Sequence, residues 1–571
     1  MASQIHLVSD FNIEPFARLL RAQEKAHGFT VRAADFGQVI PGLRAPTEPF
    51  ASGDIVLVWA RAERIVAGFA RVLDYEPVPE DALLAEVDDY AEAVLHAARQ
   101  CAMVLIVDWT MPLGYRGLGP LNGRRGIGAG AHLVQMQAHL ARRLEGAANV
   151  FSLSQASWTA AVGTAAATPK MWYAAKVPFS PQVFAEAAAD VRSTIAGLRG
   201  EARRVVVVDL DDTMWGGVVG ETGWQGLQLG GHHHLGEAFV DFQRALKALQ
   251  RRGIQLAIAS KNDEAVAMDA ITSHPEMVLR RDDFSAWRIS WQDKATGIRE
   301  LADELNLGLK SLVFLDDNAS ERGRVRELLP DVLVPEWPAD PTRYVQALHA
   351  LRCFDVTTIS AEDASRTQMY AQERERREAA RGAGGPDAWL DSLGVVVEAQ
   401  LLTADDLPRA TQLLNKTNQL NLATRRLSET ELSEWAAADG REVWTFRVSD
   451  RFGQSGLTGL LSVEHEGART RIVDYLLSCR VMGRKVEETM LHHAWTRARA
   501  HGAVELEAMF SPTERNGPCL QLWRASGFAE SPEHRFAWQA DAEYLRPASV
   551  SLEVNGLAAR DAHVASDAHA V

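Results

Sequence analysis

The sequence predicts an α/β protein of about three domains, two built on parallel sheets and a third of α+β type. Three observations predict it. Runs rich in Val, Ile and Leu alternate with stretches of helical spacing through the first 355 residues. Three of those runs end in carboxylates or hydroxyls, as strands of open parallel sheets do where they meet a ligand. After a charged, Gly-ended stretch at 372–388, strand-like runs lead into a single helix. The predicted boundaries are 1–198, 199–355, a helix and linker over 356–388, 389–546, and a disordered tail over 547–571. With 571 residues, 47% of them hydrophobic and 24% charged, the chain can bury sizeable cores.

In the first unit, DIVLVWA (54–60) and AMVLIVDWT (102–110) read as buried strands, with helices around 84–99 and 131–146. The Gly-rich stretch 114–132 lacks the GxxxxGKS pattern of a phosphate loop and reads as a solvated loop. In the second unit, RRVVVVDLDDTMW (203–215), RGIQLAIASKN (252–262) and SLVFLDDN (311–318) repeat one design of strand and polar tip. In the third, VVVEAQLL, REVWTFRVSD, GLTGLLSVEHE and TRIVDYLLSCRV read as strands before a helix from about 484 to 501.

The charge balance of −15 excludes a global basic footprint, so no nucleic-acid partner is expected. No apolar run reaches the roughly 18–20 residues that span a bilayer, and no signal pattern opens the chain. Four cysteines, Cys101, Cys353, Cys479 and Cys519, are too few and scattered for a disulfide framework or a CxxC zinc site. The chain reads as reduced and cytoplasmic, without a membrane partner. His232, His233 and His234 are consecutive on a turn, point in different directions, and read as a solvated loop rather than a metal site.

The chemistry concentrates at 209–213. Asp209 and Asp211, at i and i+2 after a four-valine strand, can converge on one metal and one phosphoryl group. Asp209 is placed to attack phosphorus and form an aspartyl-phosphate. Asp211 can protonate the leaving oxygen and later deprotonate water. Asp316, with Asp317 beside it, adds carboxylate oxygens, so Asp209, Asp211 and Asp316 form the expected ligand set for Mg²⁺, a hard cation. Ser260 offers a hydroxyl to phosphate, and Lys294 a charge that offsets crowded carboxylates. Thr213 and Asn262 are candidates to bind the substrate. Only a short hairpin-like stretch and one helix separate Thr213 from Ser260, which leaves no room for a large cap.

These four motifs in order, DxDxT at 209–213, Ser260, Lys294 and the acid pair 316–317, resemble the haloacid dehalogenase (HAD) superfamily, which implies a Rossmann-like parallel sheet. Further on, Arg480-Val481-Met482-Gly483-Arg484-Lys485 resembles the loop of GNAT-type acyltransferases, with Arg480, Gly483 and Arg484 as the residues that would cradle a pantetheine-linked pyrophosphate. Lys485 stands where that loop ends in a small residue, and Trp523 where many acetyltransferases carry a tyrosine acid. Cys479 sits at a strand end beside Arg480 and near a helix N-terminus, a setting that favours thiolate.

Together DLDDTMWGGVVGETG, IASKND, LDDNASERGRVRELLPDV, LLNKTNQLNLATRR, DRFG and LLSCRVMGRKVE resemble the FkbH-like family of HAD-type glyceryl transferase/phosphatases of polyketide pathways. The stretch 170–181 resembles that family's lead-in, and the residues before it an SGNH-hydrolase-like domain. VSDFN (8–12) carries no GDS nucleophile, and no esterase activity is implied there. The resemblance implies that Cys479 accepts a glyceryl group from 1,3-bisphosphoglycerate. It also implies that the HAD residues remove the remaining phosphate and that the acyl group passes to the phosphopantetheine thiol of an acyl carrier protein. Asn415, Asn418 and Asn421 could orient the acyl group, or form an Asn-rich turn that caps a helix. Arg480, Arg484 and Lys485, with Arg425 and Arg426, could receive an acidic carrier or be solvated charges.

Overall fold

A computed structural model describes residues 4–22, 28–231, 233–356, 384–417, 419–513 and 516–555, together with single positions between 372 and 379. The chain divides into two compact units, residues 1–364 and 365–571. His232, Asn418, the Cys479 side chain and most of the 356–388 helix and linker lie outside the described residues.

The first unit holds two all-parallel sheets. One contains β1 (Gln4–Ser9), β2 (Thr30–Ala33), β3 (Ile55–Trp59), β4 (Met103–Val107) and β5 (Val150–Leu153), in the order β2-β1-β3-β4-β5. Alternation explains the apolar runs: Ile55, Leu57 and Trp59 face one layer of helices, while Val56 and Val58 face the other. The stretch 114–132 forms turns around a short 3-10 segment, Gly119–Leu121, before the helix Ala129–Leu144.

The other sheet contains β6 (Val205–Val208), β7 (Gln255–Ser260), β8 (Phe284–Ile289) and β9 (Leu312–Leu315), in the order β8-β7-β6-β9. All four β6 valines are fully buried, as a strand covered on both faces requires. Between Asp209 and Ser260 stand a four-residue helical turn (Val219–Thr222), a bridge from Gly216 to Gln228 and the helix His234–Arg251. The helix Pro181–Leu198 ties the two sheets together, since Arg352 pairs with its Glu186 and Asp190.

The second unit is built on a mixed sheet. It contains β10 (Val395–Leu401), β11 (Leu420–Asn421), β12 (Arg441–Asp450), β13 (Gly453–Glu466), β14 (Arg469–Leu477), β15 (Glu505–Met509), β16 (Ala529–Ser531), β17 (Arg535–Gln539) and β18 (Val550–Asn555). The order is β16-β17-β15-β14-β13-β12-β10-β18. The parallel pair β14 and β15 is in register only over Arg469–Ile472. Beyond that point the two diverge, and β11 pairs antiparallel with Leu476 and Leu477 on the edge that β15 has left. The helix Val486–Ala500 covers the sheet through Val486, Met490, Leu491, Ala494 and Ala498.

One correction concerns the tail. Residues 550–555 are not disordered: they form β18, which runs parallel to β10 from Val550 opposite Val395 to Asn555 opposite Gln400. Composition concealed this because the strand borrows its partner from a segment some 150 residues away. A chain ending before β18 exposes the β10 edge and loses the buried side chain of Val550, which is 1% exposed. We expect this truncation to cost the second unit about 3 kcal/mol in denaturant unfolding.

On β12, Glu442 is buried in a cluster of cationic and imidazole side chains. Arg497 donates to both of its oxygens at 2.9 and 2.7 Å, Trp444 Nε1 at 2.8 Å, and His501 Nε2 lies 3.0 Å away. Burial alone would raise its pKa, but the bonds from His465, His501, Arg497 and Trp444 hold it well below the ordinary value of 4.5. A carboxylate depressed on folding stabilises the fold above its unfolded value and loses that contribution as pH falls. Thermal stability of the second unit should therefore decline below about pH 4.5, and Glu442→Gln should flatten that decline while lowering stability at neutral pH.

Candidate active site

The site lies where the carboxyl ends of β6, β7 and β9 meet. Asp209 directly follows the central strand β6, Ser260 ends β7, Asp316 and Asp317 follow β9, and Lys294 opens the helix after β8. Asp209, Ser260, Lys294 and Asp316 are all buried. Lys294 Nζ lies 2.8 Å from Asp209 Oδ2 and 2.6 Å from Asp316 Oδ2. Burial works against the Lys294 charge, yet the two carboxylates outweigh it and hold its pKa above the usual lysine value. Burial and the charge of Asp209 push Asp316 up to about 6, against the pull of Lys294. Asp317 is raised for the same first two reasons.

The side-chain carboxylates that converge differ from the expected metal set by one residue. Carboxylate oxygens of Asp209, Asp316 and Asp317 lie within 4.8 Å of one another, and Asp209 Oδ1 is buried without a hydrogen-bond partner among the described residues. Three oxygen donors around an unsatisfied carboxylate oxygen suit a hard cation such as Mg²⁺. Asp211 is not among them. Its Oδ1 accepts from Trp215 Nε1 at 2.9 Å and Val219 N at 3.1 Å, and its Oδ2 from Asn262 Nδ2 at 2.8 Å. Burial raises its pKa against those bonds, with the Asp209 charge adding to the rise, which suits a group that must carry a proton.

Two residues expected to bind substrate instead hold the site together. Asn262 holds Asp211, and Thr213 Oγ1 donates to Asp317 Oδ1 and accepts from Asp317 N, both at 3.1 Å. The loop between them is pinned by Gln243, whose side chain donates to Met214 O at 2.9 Å. Tyr344 does the same at Asp212 O, at 3.1 Å.

In the second unit, Cys479 opens the 3-10 turn Cys479–Val481 directly after β14. The expected pyrophosphate cradle is already engaged. Gly483 N donates to Glu487 Oε1 at 2.7 Å, so the chain's own carboxylate takes the anion position. Arg484 is buried, bonded to Asp450 Oδ2 at 3.1 Å and to the carbonyl of Arg480. Lys485 adopts a left-handed backbone (φ 64°), the conformation a glycine would take without strain. Trp523 is fully buried against Tyr475 and Phe528 and belongs to the core.

The amides of Asn415 and Asn421 serve the backbone. Asn415 Nδ2 donates to Leu427 O at 2.8 Å and its Oδ1 accepts from Leu427 N at 3.2 Å. Asn421 donates to Thr417 O at 3.0 Å and accepts from Thr424 N at 2.8 Å. Asn516 Nδ2 and Ser511 N bond the carbonyls of Asn421 and Leu422, so the gap between β14 and β15 is filled by the chain itself. The remaining thiols are chemically quiet: burial pushes Cys101 up to about 11, and Cys353 and Cys519 up to about 12.

Part of the chain shares its fold with a solved protein that contains a phosphatase domain. It is similar to the solved N-terminal part of a Bacteroides fragilis protein containing a phosphatase domain, complexed with Mg. Identity is 26% over 62% of this chain and 95% of that chain, with a TM-score of 0.57. The ribosomal-protein-S18-alanine N-acetyltransferase of Escherichia coli is 11% identical over 25% of this chain and 94% of that chain, with a TM-score of 0.20. For a spermidine N-acetyltransferase from Vibrio cholerae, solved with CoA and spermine, the figures are 15%, 26%, 97% and 0.21. Neither a protein-family model nor a curated protein matches the chain.

A second acidic group, Glu442 with His465 and His501, brings its ligand atoms within 4.8 Å. Its imidazoles stack face to face, 3.7 Å apart and 14° from parallel, so a cation cannot lie in both ring planes. It is an ion-pair network. Sequence reasoning left out three residues: Asp317 from the metal set, Trp215 at Asp211 and Glu487 at the Gly483 amide. Adjacency to Asp316 signalled the first; nothing periodic signals the other two. The ligand assignment is checked by thermal shift. Mg²⁺ should raise the melting temperature of the unaltered chain and of Asp211→Asn, and Asp317→Asn should weaken that response at least several-fold in Mg²⁺ concentration.

Proposed function

We propose that this chain is a bifunctional enzyme, a Mg²⁺-dependent phosphatase joined to an acyltransferase that carries a glyceryl group on Cys479. The observation that carries the phosphatase half is the cluster of Asp209, Asp316, Asp317 and Lys294, with Asp211 held beside it at the end of a parallel sheet. The Bacteroides fragilis neighbour, which contains a phosphatase domain complexed with Mg, supports the same half. Mg²⁺, held by Asp209, Asp316 and Asp317, would neutralise charge on the transferring phosphoryl group.

A carboxylate oxygen of Asp209 attacks phosphorus, and the bond to the leaving oxygen breaks as Asp211 gives that oxygen its proton. Water then attacks the aspartyl-phosphate, gives a proton to Asp211, and releases inorganic phosphate with Asp209 restored. Lys294 offsets the charge gathered in this space. Among the described residues no large cap stands between Thr213 and Ser260, so a phosphate carried on a bulky group can reach the site.

The acyl half rests on the resemblance of the 413–426 and 476–487 segments to the FkbH-like family. In that reading the Cys479 thiolate attacks the acyl carbon of 1,3-bisphosphoglycerate and expels inorganic phosphate. The remaining phosphate is hydrolysed at Asp209, and the glyceryl group exchanges onto the pantetheine thiol of an acyl carrier protein. One thioester replaces another, so the exchange is nearly isoenergetic. The quiet state of Cys101, Cys353 and Cys519 supports Cys479 as the working thiol.

A second reading, a phosphatase whose second unit only binds a partner, is favoured by the filled β14–β15 gap and the engaged Gly483 amide. Intact mass after incubation with 1,3-bisphosphoglycerate, Mg²⁺ and a phosphopantetheinylated carrier separates the two. The bifunctional reading expects a glyceryl adduct that Cys479→Ala abolishes and a phosphoglyceryl adduct that accumulates in Asp209→Asn. An adduct unchanged in Cys479→Ala overturns the thiol assignment, and phosphate release without any adduct favours the second reading.

A further inference from the structure

We propose that Trp215 is a positioning residue for the proton-donating carboxyl, and that it sets how well the site handles poor leaving groups. The inference rests on the phosphatase reading. A carboxyl group offers two oxygens with two lone-pair positions each. On Asp211, Oδ1 is filled twice, by the Trp215 indole N–H at 2.9 Å and by the amide of Val219 at 3.1 Å. Oδ2 takes one donor, Asn262 Nδ2, at 2.8 Å. One position on Oδ2 therefore remains among the described residues, and the proton given to a leaving oxygen has to sit there.

Trp215 is well made for this restraint. It is fully buried in the core of the sheet, so its N–H cannot turn away to solvent. It lies four residues after Asp211 on the same loop, and a backbone bridge joins the two positions. The loop is itself clamped, by Gln243 at Met214 O and by Asp212 Oδ1, which accepts from Gly217 N at 2.8 Å. Loss of the indole N–H opens a second proton position on Oδ1, on the side facing the protein rather than the substrate. An acid that spends time in that form donates less often. The bond between phosphorus and an alkyl oxygen needs that proton as it breaks, whereas a nitrophenolate leaves with little help.

The test compares two esters with the full chain and Mg²⁺. In Trp215→Phe, kcat/KM for glycerol phosphate should fall on the order of 10-fold more than for p-nitrophenyl phosphate, within the range that general acids contribute. Asp211→Asn should show the same bias more strongly. A merely structural role would lower both substrates alike, and equal losses overturn the proposal. If Trp215→Phe does not fold, site-specific replacement of Trp215 by its benzothienyl isostere carries the test, since it keeps the ring's shape, removes only the N–H given to Oδ1 and should show the same bias. No release from either ester by the unaltered chain overturns the phosphatase reading itself, and this proposal with it.

Discussion

The first unit's chemistry depends on one electrostatic constraint: a lysine wedged between carboxylates at the end of a buried sheet. Lys294 touches both Asp209 and Asp316, and Asp317 stands within reach of the same point. Two like charges 4 Å apart repel by about 4 kcal/mol at an effective dielectric of 20, so three acids cannot share this space uncompensated. The lysine offsets part of that repulsion and leaves room for a divalent cation. Burial first, and then the charge of Asp209, raises the pKa values of Asp316 and Asp317. The surrounding fold, from the β6 valines to the clamps on Met214 and Asp212, holds these groups where they repel.

The second unit is organised around a different constraint, the splaying of two parallel strands. Once β14 and β15 part after Ile472, the exposed edge of β14 has to be paired. The chain supplies Leu420 and Asn421 for that purpose, and Asn516 and Ser511 close the other side. The Asn-rich segment is thereby drawn to the strand end that leads into Cys479. A loop that could hold an anion is quenched by Glu487 in the same region.

Legibility differed between the units for physical reasons. Strand runs such as VVVV and MVLIV are buried on both faces, and their composition announces it. The HAD-type carboxylates were legible because each follows such a run, so a strand assignment places the acid at a sheet end. The Asp211 side chain stands outside the carboxylate cluster because i and i+2 spacing gives proximity but not rotamer, and Trp215 and Asn262 decide the rotamer. The edge strand β18 was read as a tail because six residues of mixed polarity carry no period strong enough to reveal a partner 150 residues away.

By itself, the sequence determined the α/β class, the strand-end acids, the lysine that balances them and the uncapped spacing between Thr213 and Ser260. These follow from local composition and chain length, which act before any long-range contact forms. Only the tertiary structure decided which carboxylates converge, what Asn262, Thr213, Asn415 and Asn421 bind, and that Gly483 and Arg484 are already engaged. The outcomes at the strand ends depend on hydrogen bonds between residues far apart in the chain, such as Thr213 with Asp317 across 104 positions and Asp211 with Asn262 across 51. No local pattern encodes bonds of that kind.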